Sequence, residues 1–398
     1  MQIKKPYLLI EINENNIKFL VVEFKENLEF DVCDSFIVDS AGITGGRITN
    51  ILDLSQIIKK QLNLIEKKIG YIFKTTTVVY DYRDVKCINI SGFKKLSGSK
   101  IMSEDISFIL NDVKKTILEN EINYSLIHLF NTNFVLDKVS IKNLPIGLHG
   151  DFYNQHLTFF LLPKNEIKNL NIVLNNCHIE SERIISKSFV RGIDLLKKEQ
   201  ADKTIILVNI GQKMSNISIY KNLSFLYCEN FTFGTDIIIK DISKVCSLNF
   251  ELAKDLFNKL NFFNSAKDDY IPENYFKDVT YRKISNQLVE KIILARSEEI
   301  IDIIYNKNIN LSHLIRKDSI VNVAFEVENY NKNLKNYFRN LFYLKEIIFA
   351  NQDIQVSQFK DCLAAASLIG KGWEKEAIPI IQTKKSIISR IFEKLFLN

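Results

Sequence analysis

The stretch Ile205-Ile-Leu-Val-Asn-Ile-Gly-Gln-Lys-Met-Ser-Asn-Ile-Ser-Ile-Tyr220 decides how the chain is to be read. Its run of branched apolar residues predicts a buried strand. Gly211 marks a turn, and Asn216 to Tyr220 alternate polar and apolar as a second strand would. Such a turn can aim backbone N–H groups at a phosphate. A weaker copy lies near the N-terminus, Tyr7-Leu-Leu-Ile-Glu-Ile-Asn-Glu-Asn-Asn-Ile-Lys-Phe-Leu-Val-Val22. Laying Ile12 on Ile210 sets Glu11 against Asn209 and Asn13 against Gly211. Two strand–turn–strand units, each opening one half of the chain, predict a duplicated architecture with a cleft between the halves.

Composition narrows the function classes. At 398 residues with 46% hydrophobic residues, the chain is expected to bury a sizeable core and to divide into domains. Its 53 Lys and Arg against 47 Asp and Glu leave a net charge of +6, too mild over this length to argue for nucleic acid. Cys33, Cys87, Cys177, Cys228, Cys246 and Cys362 are scattered without a C-x-x-C pair, which predicts reduced thiols in a cytoplasmic protein, most of them core-filling. The apolar run Tyr7–Ile10 is cut by Glu11, too short for a signal peptide, and no window approaches the ~20 apolar residues of a membrane span. His128, His149, His156, His178 and His313 have no metal-ligand spacing, so no metal site is expected. No nucleophile motif or Walker sequence occurs, and no catalytic residue is assigned.

Taken in order, the elements predict an α/β fold. Strands are expected at Phe30–Val38 and Thr75–Tyr80, with a helix over Asp53–Ile69. A change of pattern near Asp84 marks a small α+β insertion over 84–163. It would hold a strand at Cys87–Ile90, a loop at Ser91–Ser99, a helix from Ser103, and strands at Tyr124–Asn131, Phe134–Val139 and Leu157–Leu162. Residues 1–83 and 164–200 would form a first lobe. Residues 201–370 would form a second, with a helical subdomain at about 236–318 that includes a long helix over Ile284–Tyr305. A linker over 371–383 and a terminal helix over 384–398 complete the expected organisation.

With the elements placed, the chain resembles the FtsA family of bacterial cell-division proteins, within the actin/Hsp70/sugar-kinase superfamily. The resemblance spans essentially the whole length. It rests on Ile10-Glu-Ile-Asn13 for the opening acid–Ile–Gly strand, and on the Gly-rich segment Gly42–Thr49. Ile141–Gly150 matches a Pro/Gly phrase of the insertion, and Asn209–Tyr220 the "D-I-G-G-G-T-T-D-I-A-x-Y" run. Further matches are Phe233-Gly-Thr-Asp236 and an R-x-x-E pair, Arg296 and Glu299. It implies an actin-like (ribonuclease-H-like) two-lobed fold with an inserted subdomain and a C-terminal amphipathic helix. It also implies ATP with Mg as the family cofactor. The cofactor-binding positions carried over are Glu11, Asn13, Asn209, Gly211, Gln212, Lys213, Met214, Ser215 and Gly234.

The departures bear on that cofactor. Gln212, Lys213 and Met214 stand where the family has consecutive glycines, and side chains there obstruct close approach of backbone to phosphate. Asn209 replaces the family acid and supplies no carboxylate for a hydrated Mg²⁺. Asn13-Glu-Asn-Asn16 replaces Gly-Thr-Ser/Ala, and Glu14 would put negative charge beside the phosphates. A strand expected over Ser319–Phe325 would feed the adenosine-side loop, which is matched to Val323-Ala-Phe-Glu-Val327 and has no glycine. The expectation is a degenerate nucleotide site with ATP binding and hydrolysis weak or lost.

The C-terminal end has its own periodicity. Ile387, Ile388, Ile391, Phe392, Leu395 and Phe396 make one apolar face, and Lys384, Lys385, Arg390 and Lys394 against Glu393 give the polar side a net +3. That pattern predicts a helix lying in an anionic membrane interface. The resemblance implies that this is the cytoplasmic face of the inner membrane, at the division site. The partners implied by the resemblance are the C-terminal peptide of the tubulin-like protein FtsZ, contacted by Arg296 and Glu299, further copies of the chain in a filament or oligomer, and later division proteins. The function expected is an adaptor tethering FtsZ filaments to the membrane. The rivals are an actin-fold ATPase or kinase-type enzyme and a PilM-like pilus-assembly adaptor.

Overall fold

A computed structural model describes residues 5–198, 204–259, 269–276, 280–314, 321–327, 341, 347–348, 358–373 and 375–376. The duplication expected from the two hairpins is visible in the sheet topology. The first sheet holds β1 (Pro6–Ile12), β2 (Asn16–Phe24), β3 (Phe30–Asp39), β6 (Thr75–Tyr80) and β11 (Glu180–Ser186), in the order β11-β6-β1-β2-β3. Another sheet holds β12 (Thr204–Ile210), β13 (Ser215–Lys221), β14 (Ser224–Phe231), β15 (Val321–Val327) and β16 (Ile347–Ile348), in the order β14-β13-β12-β15-β16. Matching β1 with β12, β2 with β13, β3 with β14, β6 with β15 and β11 with β16 gives one strand order twice. The molecule divides into two compact units, Met1–Thr204 with Ser218–Glu229 and Asn351–Asn398, and Ile205–Ile217 with Asn230–Ala350.

In the first unit, β1 is apolar on both faces because both are covered. Leu8, Ile10 and Ile12 share a core with Leu54, Ile58, Leu62 and Ile65 of α1 (Ile51–Ile69) and with Leu170, Val173 and Leu174 of α3 (Lys164–Asn176). The opposite face carries α4 (Lys187–Lys198) and α9 (Lys360–Lys371). Asn50 caps α1 by accepting from the N–H groups of Leu52 and Asp53, and Gly70 ends it at φ 72°. Between β3 and α1 lies a small hairpin, β4 (Ile43–Thr44) with β5 (Arg47–Ile48). Its turn, Gly45 and Gly46, takes positive φ at both positions, which glycine permits without strain.

The inserted segment forms its own sheet, β7-β10-β8-β9, from β7 (Lys86–Lys95), β8 (Tyr124–Leu136), β9 (Val139–Ile141) and β10 (Phe152–Pro163), with α2 (Ser103–Asn120) packed on it. Two expectations change here. The segment Ser91–Ser99, read as a loop, continues strand β7 to Lys95. Gly92 serves helix approach: a Cβ there would meet Ile109 Cγ2 at 2.3 Å. The strands expected at Tyr124–Asn131 and Phe134–Val139 are one element, β8. Its polar middle is satisfied only in part: Thr132 Oγ1 lies 3.1 Å from Thr158 Oγ1 and Ser224 Oγ donates to the backbone carbonyl of Asn131, while the Asn131 side-chain amide is buried without a hydrogen-bond partner. The helix expected from Ser103 begins there, but Met102 is its cap position and Asp105 accepts the Met102 N–H at 2.7 Å.

Aromatic rings tie this subdomain to the rest of the unit. Phe160 stacks on Phe225 with centroids 4.1 Å apart, and Phe130 and Phe189 meet edge to face at 4.7 Å. Gly192 lets α4 lie against Tyr220, since a Cβ there would fall 2.1 Å from the ring.

The second unit carries α5 (Asp236–Val245), α6 (Phe250–Lys259), α7 (Asn286–Ile301) and α8 (Ile309–Leu314). The long helix expected over Ile284–Tyr305 is α7, capped by Ser285 Oγ on the Leu288 N–H at 3.2 Å and continued by a π-helical turn, Asp302–Asn306. Val323–Val327, matched from sequence to the adenosine-side loop, lies within strand β15, where Val323 and Ala324 pair with Ile347 and Ile348. The alternation Val-Asn-Val-Ala-Phe-Glu-Val explains the correction, because a two-residue period suits a pleated strand. The terminal segment 384–398, with Lys384, Lys385, Ile387, Ile388, Arg390, Ile391, Phe392, Lys394, Leu395 and Phe396, lies outside the described residues.

Candidate functional site

The pleat of β1 sends Glu11 to the face covered by α4 and α9, fully buried. Burying a carboxylate requires counter-ions and hydrogen bonds. Glu11 Oε1 lies 3.1 Å from Lys18 Nζ on β2 and 3.0 Å from Lys187 Nζ at the start of α4. Asn13 Nδ2 donates to the same oxygen at 3.0 Å, and the Cys362 thiol donates to Oε2 at 3.6 Å. Lys187 also donates to Asn13 Oδ1 at 2.5 Å and lies 3.6 Å from Asp361 Oδ2, which in turn accepts from Arg191 Nε at 3.0 Å. Burial pushes the Glu11 carboxyl up, but Lys187 and Lys18 more than offset it and hold it below its ordinary range. Asp361 behaves likewise, with Arg191 and Lys187 outweighing its burial.

Asn13 stands at the first turn position, and its side chain is committed. Besides the bonds above, Nδ2 donates to Asn16 Oδ1 at 3.0 Å while the backbone N–H closes the turn on the Asn16 carbonyl at 2.9 Å. The next residue, Glu14, places Oε2 on the N–H of Gly45 in the glycine hairpin at 2.9 Å.

The second unit has the corresponding turn between β12 and β13. Asn209 is buried near the end of β12, and the Gly211 N–H bonds the Met214 carbonyl at 3.0 Å. Ser215 Oγ donates to the Phe233 carbonyl at 2.7 Å, tying the hairpin to the strand end that precedes α5. The carbonyls of Gly211 and Gln212 accept the N–H groups of Thr235 and Asp236, both at 2.9 Å. Gly234 makes this contact feasible: a Cβ there would lie 2.1 Å from the Gly211 oxygen. The first donors of α5 are therefore used by the turn itself, whereas a helix that binds phosphate leaves them open. A hollow of about 380 Å³ beside this turn is lined by Gln212, Thr235, Asp236, Ile239, Lys254, Phe257 and Asn258.

The sequence thus brought together Gly211, Gln212, Met214, Ser215 and Gly234 in one unit, and Glu11 with Asn13 in the other. Lys213 sits in the same turn. Arg296 and Glu299 are adjacent on α7, where Arg296 Nε donates to Asp241 Oδ2 at 2.5 Å and a second guanidinium nitrogen meets Glu299. Arg296 therefore braces α7 against α5. Sequence reading missed Lys18, Lys187, Arg191, Asp361 and Cys362. The signals were two cations four apart at the head of α4, among Phe189, Val190 and Ile193, and a lone acid heading the Ala-rich α9.

A second buried cluster was missed as well. Glu376 is 2% exposed, bonded to Arg183, and accepts from His128 Nδ1 at 2.6 Å. Because the Ser186 N–H donates to His128 Nε2 at 2.9 Å, the imidazole is the Nδ1–H tautomer. Trp373 Nε1 donates to the Leu223 carbonyl at 2.6 Å, and the Asn131 N–H to the Lys375 carbonyl at 2.9 Å. The start of the linker expected over 371–383 is thus docked on the first unit.

Comparison with solved structures supplies the fold. A PilM–PilN type IV pilus biogenesis complex contains a chain aligning with 92% of this one and 99% of its own length, at a TM-score of 0.59 and 11% identity. MreB 5 of Spiroplasma citri bound to AMPPNP aligns over 92% of this chain and 96% of its own, at 0.50 and 11%. The fold is actin-like. Among curated proteins, cell division protein FtsA of Neisseria meningitidis serogroup B is 20% identical over 314 residues, 76% of this chain and 74% of its own. FtsA of Buchnera aphidicola subsp. Baizongia pistaciae is 21% identical over 360 residues, 90% of this chain and 81% of its own. FtsA of Helicobacter pylori strain J99 is 23% identical over 67% of this chain and 59% of its own. No family model matches. The chain is FtsA-like on an actin scaffold.

MreB 5 of Spiroplasma citri, on that fold, is bound to AMPPNP. The residues here do not fit a magnesium nucleotide. Glu11 is neutralised by ammonium groups, Asn209 offers no carboxylate, and the α5 donors are capped by carbonyls. Among the described residues, no three His, Cys, Asp or Glu side chains converge to hold a metal.

Proposed function

We propose that the chain is a cell-division adaptor, a polymerising actin-like scaffold that tethers FtsZ filaments to the cytoplasmic face of the membrane at the division site. The observation that carries this reading is the extent of similarity to cell division protein FtsA, reaching 90% of the chain in the Buchnera relative. The proposed organisation keeps two actin-like lobes, 1–83 with 164–200 and 201–370, the insertion 84–163, and the membrane segment 384–398. Attachment is assigned to that segment by its continuous apolar face and net +3 polar side. Each basic residue near an anionic surface adds about 1 kcal/mol, and many copies in a polymer add up to firm attachment.

Co-sedimentation with anionic liposomes tests the attachment. The full chain is expected to pellet, and a chain ending before Lys384 is expected to stay in the supernatant. Equal pelleting of both would remove the anchor, and a full chain that stays in the supernatant would favour the PilM-like adaptor, which binds a peptide of a membrane partner and not lipid. Binding of the FtsZ C-terminal peptide, followed by fluorescence anisotropy, tests the partner. Glu299→Ala is the cleaner probe, since the Glu299 side chain is 52% exposed whereas Arg296 also braces α5. It is expected to weaken peptide binding without lowering Tm.

A further inference from the structure

The first unit's half of the nucleotide site is not simply eroded. Three protein cations, Lys18, Lys187 and Arg191, meet two buried carboxylates, Glu11 and Asp361, through contacts of 3.0 to 3.6 Å. At the same turn, Glu14 seats a carboxylate oxygen on the backbone N–H of the glycine hairpin. Both kinds of charge that a metal nucleotide would bring are already supplied by the chain.

We propose that this half-site is self-liganded: the Lys187 ammonium is the permanent counter-ion of Glu11 and Asp361 in place of a divalent cation, and Glu14 is the anion seated on the glycine turn in place of a phosphate. The inference rests on the actin fold and not on the division role, so it stands or falls separately from the adaptor reading. Its chemistry is specific. Lys187 bridges Glu11, Asn13 and Asp361, so a divalent cation entering there would have to displace an ammonium held by three oxygen groups. The cluster named above carries one more positive than negative charge, which opposes a second cation. Asn13 replaces a family glycine with a side chain whose amide nitrogen and oxygen are both used within the cluster. The arrangement fixes β1, β2, α4 and α9 to one another without any ligand, so folding of this lobe becomes independent of nucleotide.

The test uses thermal unfolding of the full chain, with Mn²⁺ binding by electron paramagnetic resonance as a second readout. The wild-type Tm is expected to be the same with magnesium ATP, sodium ATP or EDTA. Lys187→Ser removes the one cation shared by Glu11 and Asp361, leaving Glu11 with Lys18 and Asp361 with Arg191. Its Tm is expected to fall and to recover with Mg²⁺ or Mn²⁺, with bound Mn²⁺ detected only in the variant. Lys187→Arg is expected to keep the metal-independent behaviour. If Lys187→Ser does not fold, Lys18→Ser, which removes one of the two ammonium contacts of Glu11, is read in the same way. Stabilisation of the wild type by magnesium ATP overturns the proposal, as does a folded serine variant that neither binds Mn²⁺ nor gains stability from it.

Discussion

Replacing Glu376 by alanine is expected to cost about 3–5 kcal/mol of folding stability, the range for stranding one partner of a buried ion pair. The carboxylate is held by Arg183 and by His128 Nδ1, and both partners are buried. Removing it leaves the guanidinium without its counter-ion in a region that excludes water, and unlocks the short pairing between Phe130 and Glu376. Urea unfolding should show a lower midpoint with an unchanged slope. Glu376→Gln, which keeps an acceptor but not the charge, should fall between wild type and alanine.

The same cluster sets a pH dependence whose direction can be worked out. Burial lowers the His128 pKa from its ordinary 6.5, with Glu376 opposing only in part. As pH falls through 6.5, the unfolded chain takes up a proton that the folded chain refuses, so stability declines. Glu376 is raised by burial but pulled below 4.5 overall by Arg183 and His128, so its contribution is lost as pH falls below 4.5. Both effects have one sign, and the protein should lose Tm progressively on acidification from neutral. A variant with His128→Gln should lose the part of the slope just below 6.5.

Gly234→Ala is the second large effect expected, at the upper end of the ~1–3 kcal/mol typical of overpacking. The new methyl would lie 2.1 Å from the Gly211 oxygen and 2.6 Å from the Gln212 oxygen, both backbone atoms that cannot swing aside. Relief requires the turn and the start of α5 to separate, which breaks the bonds from the Thr235 and Asp236 N–H groups. Far-ultraviolet circular dichroism during thermal unfolding should give a lower Tm. Amide hydrogen exchange should rise at Thr235 and Asp236 before it rises in β1 or β6.

Strands β1, β2, β12 and β13 were legible because their apolar runs and turn residues are local. The turn at Gly211 was marked for the same reason, whereas Gly234 was marked only through the family resemblance and its close approach to the turn came from the structure. Segments with mixed signals were read less well. Gly92 suggested a loop, yet it is strand backbone with a helix pressed against it. The polar Asn131-Thr-Asn133 suggested a break, yet the strand runs on through it with a shift of register against β10. Val323–Val327 was matched to a loop although its two-residue period already indicated a strand.

By itself the sequence determined the repeated hairpins, the insertion between them and the replacement of family glycines and acids at the turns, since each is a property of neighbouring residues. Only the tertiary structure decided what took their place. Lys187 meets Glu11 and Asp361 across 176 and 174 positions of chain, and His128 meets Glu376 across 248. Such partners leave no periodicity or spacing to read. They are selected by the demand that every buried charge find an opposite one, and that demand exists only once the core has closed around it.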